Sequence, residues 1–270
     1  MRIQKRIAVS LLACGFLPFI AAASYGAAPA ATWQAGVSLY TESGDYGTDS
    51  KSSLLYIPFS LRRYIGPGDL ELIVPFLSVT SQGQVVLVEG VPNRARISRS
   101  GTRVSEETHS GLGDIVLKGR YYLVEEGDKI PSIDAIGKIK FPTASRGNGL
   151  GTGEFDEGGS LELTKTIKTQ YVALGDVGYM IIGSQPGLEL RNQWHYSLGG
   201  GYYFLPNKLL GTLTYEEYRS LVAGETNPRD LLFAASYTVN LRLRVDGGIT
   251  VGVSSAAPDY GVNLGAHLKF

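Results

Sequence analysis

The feature that most restricts the fold of this chain is a period-two alternation that recurs from residue 32 to residue 270. In the closing segment Val262, Leu264, Ala266, Leu268 and Phe270 are apolar, while Gly261, Asn263, Gly265, His267 and Lys269 between them are not. The same pattern puts Trp33, Ala35, Val37 and Leu39 on one face of 32–40, Leu55, Ile57, Phe59 and Leu61 on one face of 52–64, and Leu70, Leu72, Val74 and Phe76 on one face of 69–79. It continues through 114–124, 132–141, 155–168, 170–182, 193–205, 208–218, 229–239, 241–252 and 260–270. Successive side chains point to opposite faces in an extended strand, so each segment predicts a strand with one apolar and one polar face. About twelve such strands are expected, each near the ~10 residues that a tilted strand needs to cross a bilayer. Helical periodicity is nearly absent, and no window after residue 31 offers the ~18 continuous apolar residues of a membrane-spanning helix.

A half-buried strand of a soluble sandwich alternates in the same way, so connections and aromatic residues must separate the two architectures. Tight links fall at 66–68, 125–129, near Lys168, at 206–208 and at Asn240; long ones fall near 41–50, 80–112, 143–154, 183–192, 219–228 and 253–259. Short turns on one side and long loops on the other are the habit of outer-membrane barrels, and an even strand number returns both chain ends to the turn side. The 80–112 loop is the longest, and GQVVLVEGV within it has the composition for one extra short strand. On the apolar parity, Phe141, Phe155, Tyr179, Trp194, Tyr215 and Tyr260 fall at loop-side ends, and Trp33, Tyr171, Phe204, Tyr237 and Phe270 at turn-side ends. Two aromatic belts flanking an aliphatic band suit a bilayer, where amphipathic rings settle at headgroup level; a soluble sandwich has no reason to sort aromatics by height. A sheet in hydrocarbon must also close, because an open edge leaves backbone groups unpaired. The sequence therefore predicts an all-β chain folded as a single closed antiparallel transmembrane β-barrel of about twelve strands, of the outer-membrane type.

The N-terminal stretch is set apart from the barrel. Arg2, Lys5 and Arg6 precede an apolar run from Ile7 to Ala22 that is short for a span, and AAAS supplies small residues for cleavage after Ala23. This reads as a secretory signal peptide over 1–23, a linker over 24–31 and the barrel over 32–270. LLAC also resembles a lipobox, and the alternative makes Cys14 a lipidated N-terminus. Cys14 is the only cysteine, so a chain cleaved after Ala23 has no disulfide, thiolate nucleophile or cysteine metal ligand. The 25 basic and 25 acidic residues balance, which leaves no global field to gather nucleic acid. The leader, the missing mature cysteine and the terminal aromatic residue point to the outer membrane of a Gram-negative cell. The expected partners are outer-membrane lipids, lipopolysaccharide and the barrel-assembly machinery, since a last strand ending on Phe270 resembles the signal that this machinery reads.

Two stretches carry a family resemblance: GLGDIVLKGRYYL at 111–123 and IKFPTASRGNGLGTGEFD at 139–156. The matching positions are Gly111, Gly113, Asp114 and Tyr121, then Lys140, Pro142, Thr143, Gly151, Thr152, Gly153 and Asp156. With these the chain resembles the outer-membrane family of phenol-degradation meta-pathway proteins, often labelled simply as transporters; the pattern departs at Ala144, where the family commonly has glycine. The resemblance implies a channel or transporter, with aromatic or other hydrophobic acids as the expected solutes. Physically the motif reads as architecture first. Gly111 and Gly113 permit kinks where a long loop re-enters the barrel, Asp114 points inward at the loop-side rim, and Pro142 ends strand pairing. GNGLGTG lacks the Gly-Lys-Ser/Thr ending of a phosphate loop and precedes no helix.

His109 falls in the long loop, and His195 and His267 fall on the inward parity. No Gly-x-Ser-x-Gly or other nucleophile–base pattern accompanies them, and no histidine–carboxylate cluster has metal-ligand spacing, so no catalytic residue, metal or cofactor is expected. Inward parity gives Lys118, Arg120, Lys138, Lys140, Arg242 and Arg244 as cationic pore-lining candidates, with Asp114, Asp134, Glu162, Asp176, Asp230 and Asp246 as acidic partners. Two readings of that set stay open: a salt-bridged ladder that closes the interior, or a basic wall that favours anions. The loop segment VPNRARISRSGTRV brings Arg94, Arg96, Arg99 and Arg103 without an acid, either as solvated or lipopolysaccharide-binding charges or as a positive gate folded into the mouth. The function expected is passive uptake or efflux of a small-molecule solute. The alternatives are a structural or adhesive barrel plugged by 80–112, and a barrel hydrolase.

Overall fold

In the computed structural model of the chain, the described residues are 32–48, 50–81, 106–183 and 190–270. Two further antiparallel pairs, Ala8–Leu12 with Phe16–Ala21 and Val85–Val88 with Val91–Arg94, are described as backbone alone. Apart from those segments, the expected leader 1–23, the linker 24–31 and the loop residues Arg96, Arg99 and Arg103 lie outside the described residues, as does the Arg94 side chain.

Twelve strands form the wall: β1 Trp33–Gly44, β2 Ser52–Ile65, β3 Gly68–Ser81, β4 Ile115–Val124, β5 Ser132–Phe141, β6 Asp156–Ile167, β7 Tyr171–Ile181, β8 Gln193–Leu205, β9 Leu209–Tyr218, β10 Arg229–Thr238, β11 Leu243–Gly252 and β12 Tyr260–Lys269. Each pairs antiparallel with its neighbour in sequence, and β12 pairs back on β1, so the sheet closes on itself. The seam is tied at its turn-side end by Trp33, whose N–H donates to the Phe270 carbonyl at 3.0 Å, while the Phe270 N–H donates to the Trp33 carbonyl at 2.9 Å. Closure leaves no row of unpaired backbone groups facing outward, as a wall in hydrocarbon requires.

The alternation read from sequence becomes an outside and an inside. Outward residues such as Leu198 (62% exposed), Leu264 (60%) and Phe59 (54%) form an apolar outer face far too exposed for a soluble core. The aromatic residues border it. Phe141 meets Phe155 edge-on at 5.8 Å and Trp194 stacks on Tyr196 at 6.0 Å at the loop side, while Tyr202 meets Tyr171 at 5.3 Å and Phe204 at 5.2 Å at the turn side. Inward residues are polar or charged for most of the height, with Arg62, Glu71, Arg120, Lys140, Glu162 and Asp176 all buried.

The turns follow local chemistry. Lys168 (φ 50°) and Thr169 (φ 63°) both sit in the left-handed region, as a two-residue hairpin turn demands. Two expectations need correction. The segment predicted as a strand over 241–252 begins at Leu243, because the Asn240 side-chain oxygen accepts both the Arg242 and Leu243 N–H groups at 2.9 Å and holds Leu241 and Arg242 in a turn. The 80–112 loop is also shorter than expected at both ends. Strand β3 runs to Ser81, and Glu107–Leu112 pairs with Phe76–Ser81 to extend the wall above the bilayer band. A bulge at Gly113 and Asp114 separates that extension from β4, with the Gly113 N–H donating to the Pro75 carbonyl at 2.9 Å.

Candidate functional site

The motif residues at 114, 140, 152 and 156 converge on one buried point at the loop-side end of β5. Lys140 and Asp156 are direct cross-strand partners, and the Lys140 ammonium lies 2.8 Å from Asp156 Oδ2, 3.1 Å from Asp114 Oδ2 and 3.1 Å from Thr152 Oγ1. The second oxygens of the carboxylates reach the loops: Asp114 accepts the Ala144 N–H at 2.9 Å, and Asp156 accepts the Gly183 N–H at 2.8 Å. Thr143 adds a clasp, accepting the Ile115 N–H at 2.9 Å and donating to the Gly113 carbonyl at 3.1 Å. Glycine is required at 151, since a Cβ there would stand 2.7 Å from Asp114 Oδ2. The result is that loop 142–155 is drawn inward, and Leu150 packs with Tyr40, Leu54, Tyr56, Leu77, Val79 and Ala144 inside the mouth. Residues 82–84, 89–90 and 95–105 of the 80–112 loop, expected from the sequence to fold inward, lie outside the described residues.

A second ionic group lies toward the turn side. Arg62 donates to Glu71 at 2.7 Å and stands 3.6 Å from Asp69. Arg120 reaches Glu162 at 2.9 Å, Asp134 at 3.1 Å and Asp69 at 3.8 Å, and the Tyr122 hydroxyl donates to Asp69 at 2.8 Å. Lys118 lies between Glu71 and Lys138 as their cross-strand neighbour. On the seam side Asp246 takes Arg244 at 3.7 Å and His267 at 3.0 Å. Desolvated charges persist in a wall only when paired and hydrogen-bonded, and removal of one partner leaves the other stranded.

The candidate list can now be placed. Arg120, Asp134 and Glu162 meet in one network, which Asp69 joins to Arg62, a cation not among the candidates, and Lys140 and Asp114 meet in another; Lys140 is wholly enclosed beneath loop 142–155 rather than presented to the passage. Arg244 and Asp246 pair with each other, Lys138 is half-buried, and Arg242 is exposed in its turn and does not line the pore. Asp176 pairs with His195 at 3.1 Å. Gly178 makes room for that ring, since a Cβ there would fall 2.3 Å from His195 Nε2. Ser197 Oγ, two residues along the same face, has no hydrogen-bond partner among the described residues, so no serine–histidine–aspartate relay is assembled. His109 is half-buried in the wall extension, 3.3 Å from Glu107.

Several lumen acids escaped the sequence reading. Glu42 lies beyond the expected end of the first strand, and Glu216 is one of an adjacent pair, Glu216 and Glu217, of which only the first faces inward. Asp69, Glu71 and Asp156 complete a set in which carboxylates outnumber the inward cations Arg62, Lys118, Arg120, Lys138, Lys140, Arg244 and Lys269. Parity would have located Glu71 and Glu216, but the sequence held no sign of which cations their neighbours would neutralise.

Comparison with known proteins fits this geometry. The model of the family described as "Putative MetA-pathway of phenol degradation" matches residues 65–270. Among solved structures, the COG4313 outer membrane channel from Pseudomonas putida F1 superposes with a TM-score of 0.66 at 15% identity, over 91% of this chain and 98% of that one. The NanC porin gives 0.52 at 10% identity, over 87% and 100%. The transport unit of the autotransporter AIDA-I from Escherichia coli gives 0.52 at 8% identity, over 90% and 91%. At these identities the likeness establishes an outer-membrane-type barrel and no more. No curated protein matches the chain.

Proposed function

This chain belongs to the phenol-degradation MetA-pathway family, and from that premise we propose that it is an outer-membrane channel through which a small molecule moves passively down its gradient. The observation that carries the reading is the combination of an apolar outer wall with an inward face on which many ions, hydroxyls and amides lie between buried apolar clusters at the loop side and the turn side. Only a passage, a plug or a site gives a reason for so much polar surface inside a barrel of twelve strands, which is wider than the eight-stranded barrels that side chains fill. At the loop side Leu150, Tyr40 and Tyr56 place an apolar collar ahead of the charged stretch. Small aromatic or other hydrophobic molecules are the solute class that such a collar and the family description favour together. Export by the leader 1–23, assembly signalled by Phe270, and contact with outer-membrane lipid and lipopolysaccharide belong to the same reading. Phe270, at the seam and 56% exposed, is well placed for the turn-side belt. Arg94, Arg96, Arg99 and Arg103 are kept as gate or lipopolysaccharide-binding charges. The test is solute flux. Liposomes containing the refolded chain should swell faster than empty ones in a graded series of small neutral solutes, with a cut-off by size. Equal swelling with and without protein would leave the plugged structural barrel as the better account.

A further inference from the structure

The strand register lines up one lumen residue from each of six consecutive strands. Asp134 pairs with Glu162, Glu162 with Asp176, Asp176 with Ser197, Ser197 with Glu216, and Glu216 with Asp230. This row of five carboxylates and a hydroxyl runs along the hydrogen-bonding direction. In a barrel whose strands tilt by about 40° and lie about 4.8 Å apart, such a row climbs as a spiral, here by roughly 15 Å, more than half of a ~25 Å apolar band. Its lower end lies near the turn side and is neutralised, since Arg120 bridges Asp134 and Glu162. Its upper end is not. Glu216 receives only the Tyr218 hydroxyl, at 2.7 Å, and neither Glu216 nor Asp230 has an ion-pair partner among the described residues.

Like charges directly opposite on neighbouring strands repel, so Glu216 and Asp230 are relieved either by a proton held between them or by a positive counterpart. Two buried groups in the same patch are unmatched: Ser197 Oγ, within the row, and Asp176 Oδ2 have no hydrogen-bond partner among the described residues. Glu42 approaches from the far side of the seam, where a Cβ on Gly261 would stand 3.0 Å from its Cγ. The described residues contain no group of three or more side chains arranged to chelate a metal ion. A broad row of acceptors suits a mobile cation or an ammonium group better than a caged divalent ion.

We propose that Asp176, Ser197, Glu216 and Asp230 form a cation-accepting track that begins at the loop-side mouth and makes the channel select cations, inorganic or ammonium-bearing, over anions. This rests on the channel reading. It also turns charge preference away from the acids expected from the sequence and toward solutes that carry an amine.

The test is the reversal potential of the full mature chain in a planar bilayer across a KCl gradient, repeated with methylammonium chloride. The wild type should prefer both cations to chloride several-fold. The double variant Glu216→Gln with Asp230→Asn, which keeps an oxygen for Tyr218, should lose most of that preference while folding normally on a detergent gel. A preference for chloride, or an unchanged reversal potential in the folded variant, overturns the proposal. A preference for potassium with methylammonium excluded overturns its ammonium part. If no preparation conducts, the channel reading fails, and the site is judged by calorimetric titration of the folded barrel with methylammonium chloride. Saturable heat present in the wild type and lost in the variant supports the track, and equal heats overturn it.

Discussion

Replacing Lys140 by methionine removes the cation that stands between Asp114 and Asp156. Both carboxylates lie within 3.1 Å of the ammonium, and Lys140 and Asp156 are wholly buried. Removing one partner of a buried ion pair typically costs about 3–5 kcal/mol, because the remaining charge is left without compensation. Here two charges lose their ammonium, while the Ala144 and Gly183 N–H groups still donate to them. A loss of about 3–5 kcal/mol is therefore expected. The assay is urea unfolding of the refolded barrel in lipid vesicles, followed by the fluorescence of its 2 tryptophans, Trp33 and Trp194. The triple variant Lys140→Met, Asp114→Asn, Asp156→Asn should recover much of the loss, since a buried pair exchanged for neutral groups is often close to neutral in stability. A single variant that loses less than ~1 kcal/mol, the range of a solvated surface pair, would refute the buried anchor and with it the reason given for the inward course of loop 142–155.

The remaining predictions are simpler. The mature chain should fractionate with the outer membrane and run faster unboiled than boiled on a detergent gel; recovery from the soluble periplasm would contradict the membrane barrel. Deleting Phe270 should lower the yield of folded barrel in cells far more than deleting 28–31, and equal yields would remove its assembly role. Gly178→Val should push the His195 ring off its bed, because a Cβ there falls 2.3 Å from the ring, and should cost about 1–3 kcal/mol of overpacking; an unchanged unfolding midpoint would show that the ring lies elsewhere.

Where the chain meets lipid, the sequence was transparent, because hydrocarbon on one side and a polar lumen on the other impose the same alternation on every strand. Ser132–Phe141 and Gln193–Leu205 fall at the expected boundaries for that reason. Where the chain leaves the bilayer the pattern stops. The strand Glu107–Leu112 is polar on both faces and carries no periodic signal, yet it continues the ladder of β3. The turn at Leu241 and Arg242 is hidden by two residues that happen to keep the alternation, while the Asn240 side-chain oxygen claims the Arg242 and Leu243 N–H groups. Inside the barrel, parity places a charge on the inner face but says nothing of height. Height depends on strand register, and register decides that Lys140 meets Asp156 while Glu216 meets Asp230. The first contact turns an expected pore cation into a loop anchor, and the second places two acids side by side with no cation between them among the described residues.

The most direct measurement is single-channel recording of the purified mature chain in a planar lipid bilayer at symmetric salt. A barrel that serves as a passage, narrowed at its mouth by Leu150 and the anchored loop, gives discrete and reproducible conductance steps, and these grow when Leu150→Gly thins the apolar collar. A folded, heat-modifiable protein that inserts yet shows no steps, in the wild type and in the Leu150→Gly variant alike, would contradict the channel and leave a closed structural barrel.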